Sequence, residues 1–223
     1  MAIFLPCVWR RADVTLIGRR YITMKHFYSK LAAVSLSALV LTTSASALSH
    51  TVVRGDTMWK LAVQYQVGTS EIIASNPQVS NPDLIYPGQI LTIPEEDAAV
   101  TQYEQEVIRL VNEIRAQNGL SALTYNWELS RVARYKSQDM VDNRYFSHTS
   151  PTYGTPFQMI RSFGLSYRSA GENIAYGQRT PQAVVNAWMN SSGHRANILS
   201  SSYTQIGVGY VANGHYWTQM FIG

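Results

Sequence analysis

The chain is poor in cysteine, with one residue, Cys7, in 223. No disulfide can form within it, and a leader cleaved after residue 47 would take that thiol away. The exported remainder would then have no thiolate nucleophile and no cysteine-ligated metal. That excludes every cysteine-dependent wall hydrolase or transpeptidase. Charge is also scarce, at 14% of residues against 46% hydrophobic, which fits neither a disordered chain nor a membrane bundle. Six of the 18 Lys/Arg and one of the 14 Asp/Glu fall within residues 1–47, so the net charge of +4 becomes −1 beyond them. The basic footprint of a phosphate binder is missing, and nucleic acid is not an expected partner.

Long apolar runs are missing too. Leu31–Leu41 is interrupted by Ser35 and Ser37, and about eleven residues cannot cross roughly 30 Å of hydrocarbon. Lys25 and Lys30 precede the run, and Ala45-Ser46-Ala47 follows it. Positive start, short apolar stretch and small-residue exit are the parts of a secretory signal. Residues 1–47 therefore read as a leader, with Met24 as an alternative start. The expected product is secreted and has no stable membrane span after cleavage.

Two modules follow, residues 48–94 and 101–223, joined by an acidic linker over 95–100. In the first, Thr51-Val52-Val53 predicts a strand, and Gly55-Asp56-Thr57 supplies a turn and a helix cap. Met58, Leu61, Ala62 and Tyr65 recur at helical spacing. A second helix is expected over Thr69–Asn76, stopped by Pro77, and Ile90–Ile93 closes the module as a strand.

The strings HTVVRGDTMWKLA, Asn76-Pro77 and LIYPGQILTIP resemble a LysM module across its whole length. The resemblance implies a βααβ fold that binds N-acetylglucosamine-containing glycans such as peptidoglycan or chitin. Its sugar groove maps onto Gly55, Asp56, Thr57 and Met58 on one side and Asp83, Leu84 and Ile85 on the other. Read without the resemblance, Asp56 and Thr57 cap a helix, while Met58 and Ile85 pack a core. The two uses are compatible.

In the second module, helices are expected around Val107–Ile114, from Asn126 to Met140, near Pro156–Phe163, and after Thr180-Pro181, where a cap precedes a proline at the first helical position. Strand patterns cover Asn173–Tyr176, Ile206–Val211 and His215–Ile222, the last two joined by the hairpin signal Asn213-Gly214. His148, Glu172 and His194 each end an element beside glycine or serine, where side chains reach a cleft. Such a trio has two uses. It can bind a divalent metal such as zinc through His148 and His194, or it can form a hydrogen-bonded polar cleft without one. No HExxH spacing decides between them.

The strings VNEIRAQNGLSAL, WELSRVARYKSQDM, FSHTSP, GENIA, VVNAWMNSSGHRANIL and IGVGY occur in order. They resemble a CAP domain (cysteine-rich secretory, antigen 5 and pathogenesis-related proteins) of the cysteine-free bacterial branch. The resemblance implies an α-β-α sandwich with a small antiparallel sheet, so the whole chain is expected to be α+β. Many members place two His and two Glu around a cleft that holds zinc or magnesium. His148, Glu172 and His194 match three of those positions, and Ser191 stands at the fourth, three residues after Trp188.

Two functions follow. One is a secreted binding protein, tethered to peptidoglycan in a cell wall or spore envelope, whose CAP cleft takes a ligand the sequence does not name. The alternative is a peptidoglycan- or peptide-cleaving hydrolase using His148, Glu172 and His194. Glycoside hydrolysis needs a second carboxylate, for which Asp139 and Asp142 are weak partners. Ser147 and Ser191 lie in no recognisable nucleophile turn. Binding is the preferred reading.

Overall fold

A computed structural model describes residues 47–223. Cys7, Met24 and the leader lie outside the described residues, apart from Ala47. Among the described residues no helix is long and apolar enough to cross a membrane.

The first module runs β1 (Ala47–Thr51), α1 (Met58–Tyr65), α2 (Thr69–Ala74), β2 (Ile90–Pro94), with β1 antiparallel to β2. The β-branched run Thr51-Val52-Val53 only touches the end of this strand. Val52 still donates to Gln89 O at 2.8 Å and accepts from Gly88 N at 2.9 Å. The ladder thus runs one residue past β1, and the two loops beyond it leave side by side. Thr57 caps α1 through a bond from Lys60 N, 3.1 Å. Leu61, Ile72, Leu91 and Ile93 form the fully buried core. Asn76, 1% exposed, stitches the module together. Its amide donates to Ile72 O and Thr92 O and accepts from Thr92 N, all within 2.8 Å. One side chain thereby satisfies a helix end and a strand that would otherwise leave buried backbone groups unpaired.

The second module begins with α3 (Ala98–Gln117), capped by Asp97, so the helix opens inside the acidic stretch. There follow β3 (Thr124–Tyr125), α4 (Trp127–Asp142), α5 (Pro156–Ser162), β4 (Ala170–Tyr176), α6 (Pro181–Asn190), α7 (Ser192–Ile198), β5 (Gln205–Val211) and β6 (Tyr216–Ile222). The sheet order is β3-β5-β6-β4, antiparallel except for the short parallel β3–β5 pair. Asn213-Gly214 does not form a two-residue turn. Val211 pairs with Tyr216 across a four-residue loop, with Gly214 and His215 both at positive φ.

Strand alternation sorts the layers. Ile206, Val208, Trp217 and Phe221 face α3, α6 and α7. Met220 and Ile222 face α4 and α5. On the α4 side the middle of β5 presents only Gly207 and Gly209, between Gln205 and Val211 at its ends. A Cβ on Gly209 would lie 2.1 Å from Arg134 N, and one on Gly207 would lie 2.3 Å from Leu129 C. The helix backbone rests on the strand, and β3 is too short to cover β5 beyond Ile206. Side chains take over that edge. Val208 N donates to Ser130 Oγ at 2.9 Å, and Tyr210 N donates to Glu104 Oε1 at 3.0 Å. Arg134 in turn holds the Glu104 carboxylate through a fork of bonds between 2.8 and 3.0 Å.

The two modules dock through α2 and α4. Arg131 donates to both oxygens of Glu71, at 2.5 and 2.8 Å, while Tyr135 donates its hydroxyl to the same carboxylate at 2.9 Å. Burial alone would raise the Glu71 pKa, but these donors outweigh it and hold the group below the ordinary carboxylate range. The Arg131 guanidinium also lies 5.2 Å from the Tyr135 ring centre and 5.1 Å from that of Phe163. A bidentate, aromatic-flanked pair has a fixed geometry, unlike a loose surface ion pair.

Candidate functional site

The centre of interest in the second module is built by α4. This helix ends with Asn143 as cap and Arg144 at φ 52°, a position usually taken by glycine. Tyr145 N bonds back to Met140 O, and the chain turns sharply into the 145–152 loop. Two α4 side chains one turn apart then grip that loop. Asp139 accepts from the Tyr145 hydroxyl, from Ser150 Oγ at 2.7 Å, from Thr152 Oγ1 at 2.5 Å and from Asn143 Nδ2 at 2.8 Å. Burial works against the Asp139 charge, but these four donors win and hold its pKa low. Lys136 is 1% exposed. Its ammonium donates to Tyr145 Oη at 2.9 Å, Ser147 O at 2.8 Å and His148 O at 3.0 Å. Burial lowers its pKa, opposed by the charges of Glu172 and Asp139.

The loop delivers His148 to Glu172 on β4. His148 Nδ1 lies 2.7 Å from Glu172 Oε1, with the imidazole half exposed and the carboxylate 2% exposed. Burial raises the Glu172 pKa, and His148 and Lys136 offset only part of the rise. Facing an ionised Glu172, Nδ1 is the donor of this bond. Glu172 Oε2 is buried with no hydrogen-bond partner. His194 sits inside α7, and not at the end of an element as its place beside Gly193 predicts. Burial and the nearby His148 charge both lower its pKa. Asn173 Nδ2 donates to His194 O at 3.1 Å, and Asn197 Nδ2 donates to Glu172 O at 3.1 Å, which ties α7 to the exposed edge of β4.

The trio therefore shares one corner of the domain, but only His148 and Glu172 are bonded. Among the described residues no three His, Cys, Asp or Glu side chains gather closely enough to hold a metal ion, and Ser191 supplies no carboxylate. This arrangement does not fit a zinc or magnesium ligand set, and no step below is routed through one. What it can do is orient an exposed imidazole and exchange a proton with a bound group.

Lys136 was missed in the sequence reading, although the signal was present. It falls on the same helical stripe as Leu129, Val132, Ala133 and Met140, so a cation was written into a core position.

In the first module, Asp56 Oδ2 accepts from Val53 N at 2.8 Å, and His50 Nε2 lies 2.9 Å from it. The backbone bond from Val53, then His50, depresses the Asp56 pKa. Thr57 is engaged in capping, Met58 is buried, and Ile85 packs partly against the core. Gly55 adopts φ 99° with open space around it. Asp83 N donates to Asn81 Oδ1 at 3.1 Å, and Leu84 is half exposed. Of the seven positions, Gly55, Thr57, Asp83 and Leu84 are exposed as whole residues, although Thr57 is also engaged as the α1 cap. Asp56, Met58 and Ile85 shape the loops that carry them.

Comparison with known proteins places this geometry. The LysM domain matches residues 50–94, and the cysteine-rich secretory protein (CAP) family matches residues 108–221. The uncharacterised protein YkwD of Bacillus subtilis (strain 168) is 56% identical over 132 residues, covering 59% of this chain and 51% of that protein. The chain thus spans about half the length of that relative. The secreted LysM effector ECP6 of Passalora fulva is 41% identical over 46 residues, 21% of this chain and 20% of that protein. Among solved structures, an extracellular SCP-domain protein of Bacillus anthracis (strain Ames) aligns at 34% identity with a TM-score of 0.54. That alignment covers 61% of this chain and 47% of the other. With the family match spanning half of its length, the chain belongs to the cysteine-rich secretory protein (CAP) family and carries a LysM domain ahead of its CAP domain.

Proposed function

We propose that this is an exported, wall-associated protein whose LysM domain tethers it to the N-acetylglucosamine-containing glycan of peptidoglycan, in a cell wall or spore envelope. Its CAP domain presents the His148–Glu172 pair as a ligand-binding cleft. The observation that carries the tether is the side-by-side exit of the two LysM loops, locked by the Val52 bonds to Gly88 and Gln89 with Leu84 half exposed beside them. Acetamido sugars need such a surface, with an apolar wall for the methyl group and backbone groups at its rim. The LysM effector among the relatives supports an extracellular setting.

Binding is favoured over hydrolysis by the groups around His148. The Ser147 hydroxyl accepts from Thr149 N at 3.2 Å, Asp139 is committed to four donors, and Asp142 accepts from Gln138. None of these is bonded to His148 as a nucleophile or placed as a second free carboxylate.

Leu84→Ala is the direct test of the tether. Its half-exposed side chain contributes little to stability, so the change should stay within about 0.5 kcal/mol. Affinity for tetra-N-acetylchitotetraose, measured calorimetrically, should fall by about fivefold to tenfold. Unchanged affinity would remove Leu84 from the sugar surface.

A further inference from the structure

Beside the His148–Glu172 pair lies an aromatic strip that the tether does not use. Glu172, Ile174 and Tyr176 share one face of β4 by strand alternation, and Tyr216 on β6 is the register partner of Tyr176. From the loop that carries His148, Phe146 meets Tyr176 edge-on, with ring centres 4.8 Å apart. Tyr176 stacks on Tyr216 at 5.7 Å. These rings do not belong to the core. Phe146 is 45% exposed and Tyr176 57%, whereas Trp188, Trp217 and Phe221 are buried. The strip runs about 13 Å along β4 from Glu172 to Tyr176, at ~3.3 Å per residue.

We propose that Phe146, Tyr176 and Tyr216 form a stacking platform that takes a pyranose ring of an N-acetylglucosamine-containing glycan next to the His148–Glu172 pair, a second glycan subsite on the CAP domain. This rests on the tether reading, because the LysM domain would keep the same glycan at high local concentration. Three observations select a sugar. The exposed Phe146 and Tyr176 rings, set edge-on to one another and backed by the partly buried Tyr216, offer an apolar surface for the C–H face of a hexose, and the two phenols set hydroxyls at its rim. The platform is preorganised, since Lys136 fixes the carbonyls of Ser147 and His148 immediately after Phe146. The strip also ends at the half-exposed His148 imidazole, held by the buried Glu172 carboxylate, a group that pairs with sugar hydroxyls or acetamido groups.

The test is a titration of the isotope-labelled full chain with tetra-N-acetylchitotetraose, followed by NMR of amides and aromatic rings. Two groups of signals should move, one from the Gly55 and Leu84 loops and one from Phe146, Tyr176 and Tyr216. Tyr176→Ala should weaken the second response by about tenfold and leave the first intact, while Tyr176→Phe should retain both. Phe146→Ala provides an independent variant at an exposed position. Movement of the LysM signals alone would overturn the subsite and leave the tether standing. Silence in both groups would overturn the tether and the subsite together. Ring signals that shift with protein concentration and not with sugar would assign the strip to self-association and overturn the proposal.

Discussion

Replacing Gly209 with alanine is expected to unfold the CAP domain or lower its stability by about 3 kcal/mol or more. The new methyl would sit 2.1 Å from Arg134 N and 2.2 Å from Ala133 C. These are helix backbone atoms, so no rotamer change can clear them. To make room, α4 must lift off β5. Lifting would break the bonds from Ser137 Oγ to Gly209 O and to Thr218 Oγ1, at 3.0 and 2.9 Å, and would disturb the nearby Arg134–Glu104 fork. Gly193→Ala is the matched control. Gly193 lies in α7 with nothing within 4 Å of the added carbon, and alanine there should be neutral or stabilising by up to about 1 kcal/mol. Urea unfolding followed by circular dichroism reads both. An unchanged midpoint for Gly209→Ala would mean that α4 does not rest on β5 as described.

The second large effect is expected at Lys136. Lys136→Met keeps the length of the buried stem and deletes the ammonium, leaving Tyr145 Oη, Ser147 O and His148 O without their shared donor. Stranding buried acceptors beside two carboxylates should cost about 3 kcal/mol. The loss has a local signature that a general weakening of the core would not reproduce. Glu172 loses a positive neighbour, so its pKa, already raised by burial, should rise further. Amide exchange over residues 145–149 should accelerate more than exchange in β5 and β6, because the loop loses its grip before the sheet does. Carboxyl NMR titration and hydrogen exchange check the two readouts. A loop exchanging at its original rate, with Glu172 titrating as before, would contradict the role given to Lys136.

Much of this architecture was legible in the sequence because it rests on local rules. Asn126, Thr155 and Thr180 cap α4, α5 and α6 through their own side chains, with proline following the last two at the first helical position. Helical spacing located the inner faces of α1, α3 and α4. What stayed illegible depends on distant partners. The glycines of IGVGY read as a motif, but their reason is a helix seventy-odd residues earlier whose backbone needs the space. Asn213-Gly214 predicted a tight turn, yet His215 at positive φ extends the loop, its ring 2.7 Å from Tyr210 Oη through Nδ1. Glu71 and Arg131 follow no pattern in their own helices, so the docking of the two modules could not be read from either. The candidate site divides the same way. His148 and Glu172 announced themselves by residue type and position, whereas Lys136 shows in the sequence only as a cation on the apolar stripe of α4 and Asp139 only as a weak carboxylate candidate, because the loop they hold lies outside their helix.

The central claim is that the protein holds wall glycan without cutting it. The most direct measurement mixes purified protein with insoluble peptidoglycan and follows both the pelleted protein and the soluble fragments by mass spectrometry. The account predicts that the protein pellets, that Leu84→Ala leaves more of it in the supernatant, and that no fragments appear. Soluble fragments that vanish with Glu172→Gln would contradict it and make the His148–Glu172 pair catalytic. Protein that stays in the supernatant would contradict the tether itself.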